Sequence, residues 1–243
     1  MPNGFTRSPK LIKGALIELT EPFLGPVPNI IVFQYNPETL SREMTPWSAA
    51  AEGEGARATT DTRAQPFDPE EKFTLSLILD AADALEHPET YPVAVLSGIA
   101  DRIAALEMLL YPSGEGLLSE QFATVLGGNY VPRGSVPVVL FIWGPGRILP
   151  VRLTSFSIEE QAFSPTLYPI RATVSLGIQV LTPKSFETCE KRGELTAIEK
   201  IAVQAYKFTR KQKEVLARTN IANSVESVFG PVVSLPGLEG LLP

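Results

Sequence analysis

Apolar and polar residues alternate most strictly in two stretches. From Lys72 to Asp80, Phe73, Leu75, Leu77 and Leu79 take every second position, and Ile78 is the one apolar residue on the polar side. Ile170, Ala172, Val174, Leu176, Ile178 and Val180 alternate in the same way with Arg171, Thr173, Ser175, Gly177 and Gln179. Side chains two apart on an extended chain share a face, so both stretches predict half-buried strands. Val136 to Trp143 is apolar apart from Pro137, and Gly144-Pro145-Gly146 predicts a reversal that sends Arg147 to Glu159 back antiparallel. Leu11 to Thr20 and Asn29 to Asn36 read as two further strands, separated by a loop with three prolines and a glycine, and Asn36-Pro37 marks a turn.

Other segments follow a helical period. Between Tyr91 and Tyr111, Leu96, Ile99, Ile103, Leu106 and Leu110 recur at steps of three and four, which predicts one helix with a core-facing stripe. Thr90-Tyr91-Pro92 suits its start and Pro112-Ser113-Gly114 its end. Thr196-Ala197-Ile198-Glu199 has the form of a capping box, opening a helix to about Arg218 with Ile198, Ile201, Ala205, Phe208 and Val215 as its apolar side. Ser48 to Gln65 has no stripe of either period and reads as a long excursion, a loop or a pair of protruding strands. The end of the chain, from Asn220, is apolar but broken by proline and glycine. It suits an extended docking peptide or a disordered terminus.

These elements predict an α+β fold that is mainly antiparallel β, a sandwich or barrel with one packed helix. The expected division is a β domain over 1–183, with a long loop at 48–67, and a C-terminal helix and apolar tail over 184–243.

Composition narrows the function. With 44% hydrophobic and 20% charged residues, the chain can bury a real core. No apolar run reaches the roughly 18 to 20 residues a bilayer span needs, so no membrane insertion is expected. The first residues lack a signal-peptide pattern, which predicts cytoplasmic synthesis and assembly. A net charge of -6 argues against nucleic-acid binding. The charge is uneven, however. Lys207, Arg210, Lys211, Lys213 and Arg218 cluster against Glu214 alone, which reads as a solvated helix face or as a docking site for an acidic partner.

The residues offer little chemistry. Cys189 is the only cysteine, excluding an intrachain disulfide, and its acidic neighbours Glu187 and Glu190 disfavour a thiolate nucleophile. His87 is the only histidine and lies in an expected turn, without the convergent partners a metal or a catalytic dyad requires. No phosphate loop, nucleophile elbow or dinucleotide fingerprint is present. Glu70-Glu71 and Glu159-Glu160 are adjacent on strands, so each pair points to opposite faces and reads as surface charge. No enzyme activity, cofactor or metal is expected.

Several stretches together resemble the tube-type domain of contractile injection systems, the phage-tail-like family whose members often precede a LysM module in baseplate proteins. They are Leu11 to Ile17, Val32 to Arg42 with its distinctive Gln34-Tyr35-Asn36-Pro37-Glu38-Thr39-Leu40, Phe73 to Asp80, Leu106 to Pro112, Val138 to Gly144 and Leu149 to Phe156. The resemblance covers about residues 10 to 183. It implies a tail-tube-like β-barrel whose copies form a hexameric ring at the baseplate, between the spike or hub protein and the inner-tube protein, initiating tube growth. Residues 196–243 are too helical, and too rich in proline and glycine at the end, to be a LysM module. An inner-tube protomer or cap adaptor is the nearest alternative, and a small-ligand or flavin-type split barrel is one from another class.

For a ring, two sets of surface residues stand out. Glu52, Glu54, Arg57, Asp61 and Arg63 of the long excursion are candidate subunit-interface residues. Lys207, Arg210, Lys211 and Lys213 of the basic helix, with Val232, Leu235 and Leu238 of the tail, are candidate partner-docking residues.

Overall fold

The computed structural model describes residues 11–19, 29–48, 65–111, 136–187 and 195–229. Its centre is one seven-stranded, fully antiparallel sheet in the order β2-β1-β5-β6-β7-β4-β3. The strands are β1 (Ala15–Leu19), β2 (Ile30–Val32), β3 (Leu40–Thr45), β4 (Glu70–Asp80), β5 (Val138–Ile142), β6 (Ile148–Phe163) and β7 (Pro169–Val180). The described helices are α1 (Ala82–Leu85), α2 (Pro92–Ser97), α3 (Ala100–Glu107), α4 (Pro183–Glu187) and α5 (Ala197–Phe229).

The alternating stretches become neighbouring interior strands of the sheet. Phe73, Leu75, Leu77 and Leu79 of β4 are buried, and they pair with Ile178, Leu176, Val174 and Ala172 of β7. On the other side Leu16, Phe141 and Leu149 line up across β1, β5 and β6. The Phe73 and Phe141 rings lie 5.6 Å apart although β7 and β6 separate their strands in the sheet, so the sheet curls over its own apolar face. That curled face is the core.

The curl stops short of a closed barrel. β2 and β3 end the sheet without pairing with each other, which corrects the barrel expectation to an open, sandwich-like sheet. One side chain instead bridges part of the gap, between the end of β2 and the end of β4, and leaves the β3 edge open. Gln34, just past β2, donates from Nε2 to the carbonyl of Asp80 at 2.8 Å and accepts from the Asp80 amide at 3.0 Å. One amide side chain thus makes both hydrogen bonds that a neighbouring strand would have made.

Three other expectations change. The predicted Tyr91–Tyr111 helix is two helices, broken at Gly98, where φ is +59°. A Cβ there would stand 2.1 Å from the Pro169 carbonyl oxygen, so only glycine lets the break rest on β7. In consequence Ile99, Ile103, Leu106 and Leu109 are buried, whereas Leu96 is exposed and Leu110 only half-buried. Strand β3 and helices α1 and α4 have no counterpart in the sequence reading. Helix α5 does begin at the Thr196/Glu199 capping box, with Glu199 Oε2 accepting from the Thr196 amide at 2.7 Å, but it continues to Phe229.

Candidate assembly interface

The stretch Gln34 to Leu40, distinctive in the sequence, is a set of internal fasteners. Besides clasping Asp80, Gln34 Oε1 accepts from Arg102 Nη1 at 2.6 Å and so ties α3 to the seam. Asn36 holds the entry to β1. Its Oδ1 accepts from the Gly14 amide at 2.8 Å, and its Nδ2 donates to the Ile12 carbonyl at 2.9 Å. Gly14 matters because a Cβ there would meet the Phe33 and Trp143 rings at 2.7 and 2.9 Å. Gln34 and Asn36 are thus committed to the fold.

The surfaces left over are sheet edges, a projecting hairpin and one sheet face. Strand β2 carries exposed Ile30 and Val32, whereas β3 carries exposed Ser41, Arg42, Glu43, Met44 and Thr45. One edge is therefore apolar and the other largely polar, and no described strand pairs with the outer side of either. An unpaired strand edge is a template for another chain.

The hairpin of β6 and β7 extends past the core. Its ladder reaches Phe163 opposite Pro169, closed by a turn in which the Ser164 amide donates to the Tyr168 carbonyl at 2.8 Å. Ala162 and Leu167 adopt positive φ of 51° and 65°, a cost usually kept where shape matters. The tip shows solvent Phe163, Leu167 and Tyr168. On the convex side, the rows Ser41-Thr74-Gly177-Ser155 and Ser76-Ser175-Ser157 form a smooth field of small residues.

Helix α5 is fastened across the end of the sheet at β6. Ala202 and Thr209 are buried under it. The Thr209 hydroxyl donates to the Ile148 carbonyl at 2.7 Å and accepts from its amide at 2.9 Å. Two carboxylates from β4 and its approach hold the next turns. Arg210 pairs with Asp68 at 2.8 Å, and Lys213 with Glu71 at 2.9 Å. Burial pushes the Tyr206 hydroxyl well up, and the Asp68 carboxylate to which it hydrogen-bonds pushes it further.

Glu71 was expected on the surface, but only 3% of it is exposed. Arg42 Nε lies 2.6 Å from its Oε1, an ionic contact rather than a directed hydrogen bond. Glu70, its neighbour, faces outward as adjacent strand positions require.

Of the basic cluster, then, exposed Arg210 and half-buried Lys213 are paired to these carboxylates, while Lys207 and Lys211 are exposed. The apolar side read for α5 divides: Ile198 and Ala205 are half-buried, whereas Ile201, Phe208 and Val215 are exposed. Glu52, Glu54, Arg57, Asp61 and Arg63 lie outside the described residues, as do Val232, Leu235 and Leu238, and Cys189. The excursion carrying the first five joins β3 to β4, whose ladder ends at Thr45 opposite Glu70, so it leaves from the sheet edge. His87 is exposed in a turn. Among the described residues no group of His, Cys, Asp and Glu is arranged to hold a metal ion, and no helix is long and apolar enough to cross a membrane.

No curated protein matches the chain. Residues 11–187 match the family model described as contractile injection system tube protein, so the chain belongs to that family and is a structural subunit of a contractile injection particle.

Proposed function

We propose that this subunit forms a hexameric ring at the baseplate, joining the spike or hub protein to the inner-tube protein and starting tube growth. The observation that carries the reading is the pair of unlike open edges on one curled sheet. A closed ring needs a heterologous contact, two different patches that meet between successive copies. The apolar β2 edge and the polar β3 edge, lying at opposite ends of the strand order, supply such a pair.

The excursion leaving between β3 and β4 starts at the same edge, and its candidate residues Glu52, Glu54, Arg57, Asp61 and Arg63 reach the neighbouring copy. The β6–β7 tip, with Phe163, Leu167 and Tyr168 on a rigid turn, contacts the next layer rather than a ring neighbour. Helix α5 supports a place at the end of the tube. The family match ends at residue 187, and a further 33-residue helix follows it, an addition that a uniform stack of protomers does not need. The work is mechanical docking with no catalytic step.

Deleting residues 50–64 tests this reading. The deletion variant keeps the far-ultraviolet signature of the fold but no longer forms rings with its spike and tube partners. Ring assembly that survives the deletion removes the excursion from the interface. Stoichiometry in purified particles separates one hexameric layer from a protomer repeated along the tube.

A further inference from the structure

Helix α5 has a second face that the fold does not use. The helix is about 50 Å long at 1.5 Å per residue, and among its described side chains the buried and half-buried ones stop at Lys213. Ile201, Phe208 and Val215 follow each other at seven-residue steps, so they form one axial stripe with side chains roughly 10.5 Å apart, and all three are exposed. Lys211, also exposed, lies on the same stripe between Phe208 and Val215.

Just beyond the helix the sequence runs Gly230-Pro231-Val232-Val233-Ser234-Leu235-Pro236-Gly237-Leu238-Glu239-Gly240-Leu241. Leu235, Leu238 and Leu241 recur every third residue. A polyproline II segment has three residues per turn and rises about 3.1 Å per residue, which would put the three leucines on one side at roughly 9.3 Å intervals. Pro236 favours that conformation. The two spacings, about 9.3 and 10.5 Å, differ by less than the width of a methyl group.

We propose that this tail folds back and docks on the exposed stripe of its own α5. The reach fits. Val215 lies fourteen residues, about 21 Å, before the end of the helix. With Gly230 and Pro231 spent on the reversal, Leu238 stands seven residues further on, roughly 22 Å back along the helix. Leu238 then meets Val215 and Leu241 meets Phe208. Glu239, between those leucines, comes opposite Lys211, between their partners, so charge sets the register as well as apolar spacing. The tail thereby covers, within one subunit, the Phe208 and Val215 part of the stripe. None of this depends on ring formation.

The test uses the isolated full-length chain with Cys189→Ser, so that no other thiol competes. Lys211→Cys with Glu239→Cys brings two cysteines together in the proposed register and leaves the apolar anchors in place. Lys211→Cys with Ser234→Cys displaces one of them by five residues, roughly 15 Å. After mild oxidation the first pair forms a disulfide within one chain, read by intact mass and a non-reducing gel, and the second does not. Adding Phe208→Asp to the first pair abolishes its disulfide while circular dichroism retains the helix. Disulfide-linked dimers from the first pair would mean that the tail docks on a second copy, overturning docking within the chain. Equal yields from both pairs, or none from either, would overturn the stripe as the tail's site.

Discussion

The seam clasp at Gln34 gives the sharpest single-residue prediction. Gln34→Ala removes two hydrogen bonds to the Asp80 backbone, at 2.8 and 3.0 Å, and the 2.6 Å acceptor of Arg102. A neutral hydrogen bond contributes about 1 kcal/mol net and one to a charged group about 1.5 to 3. The site is only half-buried, so water recovers part of the loss, and a destabilisation of about 2 to 3 kcal/mol follows. Equilibrium urea denaturation reads the magnitude through a lower midpoint at unchanged slope. Hydrogen exchange reads the place, because the Asp80 amide loses its acceptor and its protection.

Gln34→Glu separates the contributions. The carboxylate still accepts from the Asp80 amide and pairs more strongly with Arg102, but it cannot donate to the Asp80 carbonyl, so its cost is below that of alanine. A loss under about 0.5 kcal/mol for Gln34→Ala, with Asp80 protection unchanged, would refute the idea that this side chain fastens the end of β2 to the end of β4.

The other predictions concern the helix anchor, the hinge, the sheet ends and the open edge. Lys213→Met leaves the Glu71 carboxylate buried with Arg42 as its ion-pair partner and Arg147 nearby. It costs about 1 to 3 kcal/mol by denaturation, less than a fully buried pair because Lys213 is half-exposed. Gly98→Ala forces a left-handed φ on a residue whose Cβ would overlap the Pro169 carbonyl, and costs at least about 2 kcal/mol in thermal unfolding. Partial burial alone would raise the Asp80 carboxyl, but the Ala82 amide and the Arg171 guanidinium outweigh it and hold it below its ordinary value. A depressed carboxyl stabilises the fold above its unfolded pKa, near 4, and that contribution fades as pH falls through the lower folded value. Arg171→Ala moves the acid-unfolding midpoint upward, as a pH titration of circular dichroism detects. Val32→Lys places a charge on the apolar β2 edge, leaving stability within about 0.5 kcal/mol but preventing ring formation, as native mass measurement shows.

What could be read from the sequence follows from which residues are sorted by burial. β4 and β7 lie side by side as interior strands, each with one buried face, so alternation marks them clearly. β3 is an edge strand with nearly every side chain exposed, so it has no alternation, and its pairing with β4 alone defines it. The break at Gly98 had a local signal, a glycine within a helical period, but the apolar stripe runs across it and hides it.

Helix α5 misleads for a different reason. Periodicity points to Ile201, Phe208 and Val215, yet the helix is rotated so that small Ala202 and Thr209 allow close approach, with Asp68 and Glu71 fixing the rotation. Glu71 reads as surface charge because its ion-pair partners come from β3 and α5, remote in sequence. Hydrophobic patterning carries no information on which charges will meet. The distinctive Gln34 to Leu40 stretch marks the family, whereas its role as a seam fastener depends on Asp80 and Arg102, which only the folded chain brings to it.

The most direct test of a wall shared between identical neighbours is a cryo-electron reconstruction of the assembled particle with this 26.4 kDa subunit placed in it. The account predicts a single hexameric layer next to the spike, with the β2 edge of each copy against the β3 edge of the next. Finding the subunit as isolated copies, with both edges open to solvent, would contradict it.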